Sequence, residues 1–195
     1  LMTLINTTKG NRVAIICGSA PCLQEEFEEV RSKRPDAIVI GINEAIWKIY
    51  CDILMTYHIE LISKFIEKSV NKNIEVHTSK SYPDHVLKYK DVVDCVWEGI
   101  KGGASSAIDA VQICLKMKFQ EIILVGCPMN GGDGYFHSDK APENVEGCPR
   151  FGNKGNEFLV NKHQRRLIEM AQEIDFNNVF SMSGFTSKIL GIPRL

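Results

Sequence analysis

Val13-Ala14-Ile15-Ile16-Cys17 is an unbroken apolar run. It stops at Gly18-Ser19-Ala20-Pro21, and a charged stretch with helical spacing follows. A short apolar run ended by a glycine turn reads as a strand buried on both faces. A strand that feeds a helix through a tight turn leaves backbone N–H groups unpaired at the helix start. The helix dipole favours negative charge at that point as well. Gly18, Ser19, Ala20 and Pro21 are therefore candidate phosphate-binding residues. The turn lacks the three spaced glycines of a dinucleotide fingerprint and the Gly-Lys-Ser/Thr of a P-loop. An ordinary strand-to-helix turn is the competing reading.

The same alternation runs through the chain. Strands are predicted at Val13–Cys17, Ala37–Gly41, Ile53–Tyr57, Ile74–His77, Asp94–Trp97, Glu121–Gly126 and Val179–Met182. Helices are predicted at Glu25–Lys33, Asn43–Ile49, Ile59–Ser69, Ser105–Met117 and Glu157–Ile174. The helix after Ser105 carries Ile108, Val111 and Leu115 on one stripe. The segment from Lys80 to Lys90 has no clean period. A glycine-rich loop is expected at about 127–156. Alternation of this kind gives an α/β fold, a doubly wound and mostly parallel Rossmann-like sheet, expected here as a single domain over 1–195. In such a sheet ligands bind beyond the carboxyl ends of the strands, so the segments that follow the strands should converge on one edge.

The composition narrows the partners. Hydrophobic residues make up 44% and charged residues 24% of the 195, and the formal net charge is -1. That balance fits a soluble domain and argues against a general nucleic-acid binder, which would be clearly basic. No apolar run approaches the roughly 20 residues of a membrane span. Residues 1–11 are polar and lack a signal-peptide core. The 7 cysteines include no Cys-x-x-Cys pair and several sit in apolar runs. Reduced thiols and a cytoplasmic location are expected.

Several residues on the predicted edge carry chemistry. Gly102-Gly103-Ala104-Ser105-Ser106 precedes the strongest helix. Glycines such as Gly103 let backbone approach a ligand, and Ser105 or Ser106 can cap the helix or donate to a phosphate. Asn43 can read a base or ribose, or cap the next helix. Within the glycine-rich loop, Tyr135 can bind a phosphate, His137 can act as acid or base, and Asp133 can hold a metal. His163 falls four residues before Leu167 and seven before Met170, on the buried stripe of the last long helix. It reads as a core histidine or as a base pointing into the site. Arg150, Lys154, Arg165 and Arg166 add positive charge nearby. His58 and Glu60 follow the third strand and read as a polar strand end or as contacts to an acceptor or metal.

From Val13 to about Tyr135 these motifs resemble the small bacterial sialyltransferases of glycosyltransferase family 42. That family has a Gly-x-Gly-Pro-Ser-Leu turn, here Gly18-Ser19-Ala20-Pro21-Cys22-Leu23. It has a strand ending in Asn, like Gly41-Ile42-Asn43, and a Ser/Gly-rich helix start, like Gly103-Ala104-Ser105-Ser106. It then has a strand ending in glycine, like Ile122-Ile123-Leu124-Val125-Gly126, and a loop with tyrosines. Proteins akin to the archaeal type of 6-hydroxymethylpterin diphosphokinase are similar in the same places, as are several phage proteins.

The resemblance implies a nucleotide-binding edge and transfer from CMP-sialic acid with no metal or other cofactor. Residues matching Ser19, Asn43, Ser105 and Ser106 would contact the nucleotide. Tyr135 would stabilise the departing phosphate, and His163 or His137 would serve as base. The pterin-enzyme likeness implies instead a pyrophosphokinase using ATP and Mg²⁺, held by Asp133, Asp139 or Glu60. The family's strand-end Gly-x-Asp stands here as Gly126-Cys127-Pro128, which motivates a third reading, a nucleotide-binding module without catalysis. The expected partners are a nucleotide or nucleotide sugar, an acceptor that the residues do not identify, and a second copy in a homo-oligomer.

Overall fold

The computed structural model describes residues 12–79, 90–101, 105–130 and 156–195. Among them the strands are β1 (Val13–Cys17), β2 (Ile38–Ile42), β3 (Ile53–Met55), β4 (Glu75–Ser79), β5 (Cys95–Trp97), β6 (Glu121–Val125) and β7 (Val179–Ser181). The helices are α1 (Leu23–Lys33), α2 (Ile62–Lys68), α3 (Ser106–Lys116), α4 (Asn156–Glu173) and α5 (Gly184–Leu190). Tight 3-10 turns occupy Asn43–Trp47, Ile59–Leu61 and Lys90–Val92.

The strands form one sheet in the order β5-β4-β3-β2-β1-β6-β7, and every pair is parallel. The expected doubly wound, Rossmann-like α/β architecture is therefore present. The chain steps outward from β1 to β5, returns through α3, and lays β6 on the other side of β1. The order reverses between β1 and β6, and the carboxyl edge at such a reversal is where open α/β sheets take their ligands.

Side chains alternate across the strands and sort into two cores. Ile15 and Cys17 of β1 join Leu23 and Val30 of α1 and Ile62 and Phe65 of α2 on one face. Ala14 and Ile16 join Ala107, Ala110, Val111 and Cys114 of α3 on the other. A smaller cluster of Ile108, Leu167 and Met170 seats α4 against α3. From Ser106 through Cys114 every residue of α3 is buried, so this helix lies between the sheet and its other neighbours. Elsewhere local signals decide the ends. Helix α1 has Glu25 and Glu26 in its first turn and Arg31 and Lys33 in its last, matching its dipole, and Pro35 follows.

The helix α5 has no counterpart among the predicted elements. It is short, it starts at Gly184, and it is fixed by tertiary contacts. Phe185 N–H donates to the Pro128 carbonyl at 2.8 Å, and the Thr186 hydroxyl to the Cys127 carbonyl at 2.8 Å. No described helix is long and apolar enough to cross a membrane.

Candidate functional site

The loops after β1 and β6 are joined at the reversal point. Gly18 N–H donates to the Val125 carbonyl (2.8 Å) and Ala20 N–H to the Gly126 carbonyl (3.1 Å). Gly126 N–H in turn donates to the buried Glu26 carboxylate at 2.7 Å. A Cβ on Gly18 would stand 2.3 Å from the Gly126 oxygen and 2.4 Å from Cys127 Sγ, so only glycine allows this approach. Leu23 N–H is taken by the Ala20 carbonyl at 3.0 Å, and Pro21 has no N–H to give. The turn read as a phosphate loop thus uses the Gly18, Ala20 and Leu23 donors internally. Ser19 and Ala20 are buried in the junction, and Pro21 is exposed.

The helix start after β5 is better placed to receive an anion. Ser105 caps α3 from an extended backbone, its Oγ accepting from Ala107 N–H at 3.2 Å. A hydroxyl that accepts there keeps its own proton to donate outward. Ser106 is buried beside it. The α3 start lies at the carboxyl edge of the sheet, because the helix runs back across β1 and β2 to Met117. The Met117 carbonyl there accepts from Arg12 at the amino end of β1 (2.7 Å).

Asn43 sits at the end of β2 with φ 51, in the left-handed region that asparagine tolerates better than most residues. Thr56, just past β3, donates its hydroxyl to Asn43 Oδ1 at 2.8 Å and accepts from His58 N–H at 2.9 Å. With the threonine oxygen already accepting, its proton goes to the amide oxygen. That fixes the amide orientation and leaves the Asn43 NH₂ as the group that can be offered to a ligand. Thr56 is 2% exposed, so Thr56→Val is expected to cost about 2 kcal/mol in urea unfolding, and Thr56→Ser far less.

His163 is half-buried on α4. The next residue, Gln164, donates to the Met129 carbonyl at 2.8 Å and ties this part of α4 to the loop after β6. His163 therefore lies on the carboxyl side of the sheet, as a base at this site would require. His58 Nδ1 lies 3.3 Å from Glu60 Oε1. Gly103, Tyr135 and His137 lie outside the described residues, as do Asp133, Asp139 and most of the glycine-rich loop. Among the described residues no group of three or more His, Cys, Asp or Glu side chains is arranged to hold a metal ion.

Sequence reasoning passed over Asp109, in the first turn of α3. It is 4% exposed, with the Ser79 hydroxyl 3.5 Å from Oδ2 and no hydrogen bond at Oδ1. Burial lifts its pKa from 3.8 to about 6, against the opposing pull of the Ser79 bond and the Arg166 charge. The available signal was a carboxylate inside an otherwise apolar helical run.

The thiols at this edge are inert. Burial pushes Cys17 and Cys127 far up, and Cys22 rises to about 11 through burial and the nearby Glu26 carboxylate. His77, on β4, is also held back from charging by burial. Trp97 Nε1–H donates to its Nδ1 at 3.3 Å. An open cavity of about 660 Å³ lies at the opposite, amino edge, lined by Val13, Asp36, Gln120 and Asn178 among others. Its Arg34 is held by Glu121 (2.8 Å) and the Arg194 carbonyl (3.1 Å). Comparison of the chain with family models, curated proteins and solved structures finds no match in any of the three.

Proposed function

We propose that this chain is a nucleotide-sugar-dependent glycosyltransferase of the metal-independent, sialyltransferase-like kind. It takes its nucleotide at the carboxyl edge, between the α3 start and Asn43. The observation that carries this reading is the shared edge. The Ser105-capped start of α3 and the oriented Asn43 amide both lie at the carboxyl edge of the sheet that holds the reversal between β1 and β6. In this reading the α3 N–H groups and the Ser105 hydroxyl hold the phosphate. The Asn43 NH₂ meets an acceptor atom of the base or ribose.

Transfer is then a displacement at the anomeric carbon. The bond to the nucleotide phosphate breaks and its electron pair leaves on the phosphate oxygen, where the α3 dipole stabilises it. The acceptor oxygen forms the new bond, and its proton passes to a base, for which His163 or His137 is the candidate. The raised pKa values of Cys17, Cys22 and Cys127 favour direct displacement over a thiolate intermediate.

Thermal unfolding in the presence of CMP, CDP, UDP and ATP, each with and without Mg²⁺, tests the proposal. A nucleotide at about 100 times its Kd adds about 2.7 kcal/mol. For a domain of this size that raises the melting temperature by roughly 5–10 °C. A rise with a pyrimidine nucleotide and no Mg²⁺ is the expected result, and no shift with any nucleotide at millimolar concentration overturns it. A rise confined to ATP with Mg²⁺, with AMP formed when a pterin alcohol is added, favours the pyrophosphokinase instead. Nucleotide binding that survives His163→Ala with His137→Ala, with no nucleotide sugar consumed by either protein, favours the binding module.

A further inference from the structure

Among the described residues, two buried polar atoms near the start of α3 have no hydrogen-bond partner: Asp109 Oδ1 on α3 and Arg166 Nε on α4. Unpaired buried groups are rare and destabilising, and each calls for a specific cause. These two belong to one neighbourhood. Ile108, next to Asp109, packs with Leu167, next to Arg166, and with Met170, and the Arg166 charge acts on the Asp109 carboxyl. The remaining contacts do not saturate either group. Arg166 reaches Glu169 through Nη1 at 3.3 Å, and Asp109 has only the long contact with Ser79.

The chemistry of the pair selects its occupant. An anion is repelled by Asp109 and a cation by Arg166. A neutral hydroxyl satisfies both, giving its proton to Oδ1 and accepting from Nε–H. Asp109 lies one helical turn below Ser105, its N–H donating to the Ser105 carbonyl at 3.1 Å. It is therefore within a sugar's length of the phosphate position assigned above.

We propose that Asp109 and Arg166 form a subsite that reads a sugar hydroxyl. This rests on the nucleotide reading of the edge and adds the group that recognises the sugar part. The hydroxyl comes from the ribose of the nucleotide or from a free sugar acceptor, and both sources present the same chemistry.

Calorimetric titration separates them. The probes are CMP and dCMP, with UMP/dUMP and AMP/dAMP run alongside, and lactose as the free sugar. The proteins are wild type, Asp109→Asn and Arg166→Gln. If ribose is the source, a ribonucleotide binds wild type about tenfold more tightly than its deoxy form. Both variants then lose that preference while keeping the deoxynucleotide affinity. If the acceptor is the source, ribo and deoxy forms bind alike, and lactose binds wild type but neither variant. Nucleotide binding with no ribose preference, joined to lactose binding that is absent or unchanged in both variants, overturns the subsite and leaves the nucleotide reading standing. Binding of neither nucleotides nor lactose overturns both. Asp109→Asn removes a buried charge and is not expected to impair folding, and Arg166→Gln gives an independent second arm.

Discussion

Gly18→Ala is expected to lower the melting temperature by roughly 10 °C, a loss of about 3 kcal/mol. The added methyl meets the Gly126 carbonyl at 2.3 Å and Cys127 Sγ at 2.4 Å. The first is backbone in the neighbouring loop, which Glu26 holds through the Gly126 N–H at 2.7 Å, so it cannot step aside cheaply. Moving it would also stretch the Gly18 and Ala20 bonds across the β1–β6 junction. Gly191→Ala is the control. It shares the need for a glycine, with φ +87, but its nearest foreign atom is 3.9 Å away. Its cost should therefore be backbone strain alone, about 1–3 kcal/mol, because φ +87 with ψ 168 is a conformation almost confined to glycine. Thermal unfolding of the two variants measures the difference. No loss at Gly18→Ala would mean that the close approach there contributes nothing.

Asp109→Asn is expected to stabilise the protein at pH 7, by up to about 3 kcal/mol. The carboxyl titrates near 6 in the fold against an ordinary 3.8, because burial penalises its charged form. The folded state therefore binds this proton more tightly than the unfolded state. The favourable contribution is complete below about pH 4 and is lost as the pH rises through 6. The variant lacks this group, so its advantage should be largest at pH 7.5 and shrink toward pH 4. Urea unfolding at both ends of that range reads the difference directly. An advantage that does not change with pH would show that Asp109 does not hold a destabilised charge.

The sheet was legible because each strand carries its own signal. Ile38–Ile42 and Glu121–Val125 are dominated by isoleucine and valine, and turn residues bound them. Polar residues buried by tertiary contact hid their places. Thr78 and Ser79 extend β4 past the predicted end at His77, and both are covered in the fold. Asn43 read correctly as a strand-end amide, but its positive φ and its bond to Thr56 depend on β3 lying alongside β2. The turn at Gly18 carried the opposite lesson. Its glycine and proline suggest a loop shaped for a ligand, while its donors close onto a segment more than 100 residues away, a partner that no local window contains. Asp109 escaped for the same reason, and Arg166, read only as one of several nearby positive charges, was not tied to it, since each is ordinary within its own helix.

The strand order also sets a timetable for synthesis. Val13–Cys17 meets β2 across the crossover that holds α1, yet its other neighbour, Glu121–Val125, is synthesised more than 100 residues after it. Until then one side of Val13–Cys17 presents open backbone groups flanked by isoleucines, the kind of edge that recruits a second nascent chain. Closing the middle of the sheet is a long-range event, so it falls late in folding. Slower synthesis over that interval is expected to lengthen the time this edge stays open.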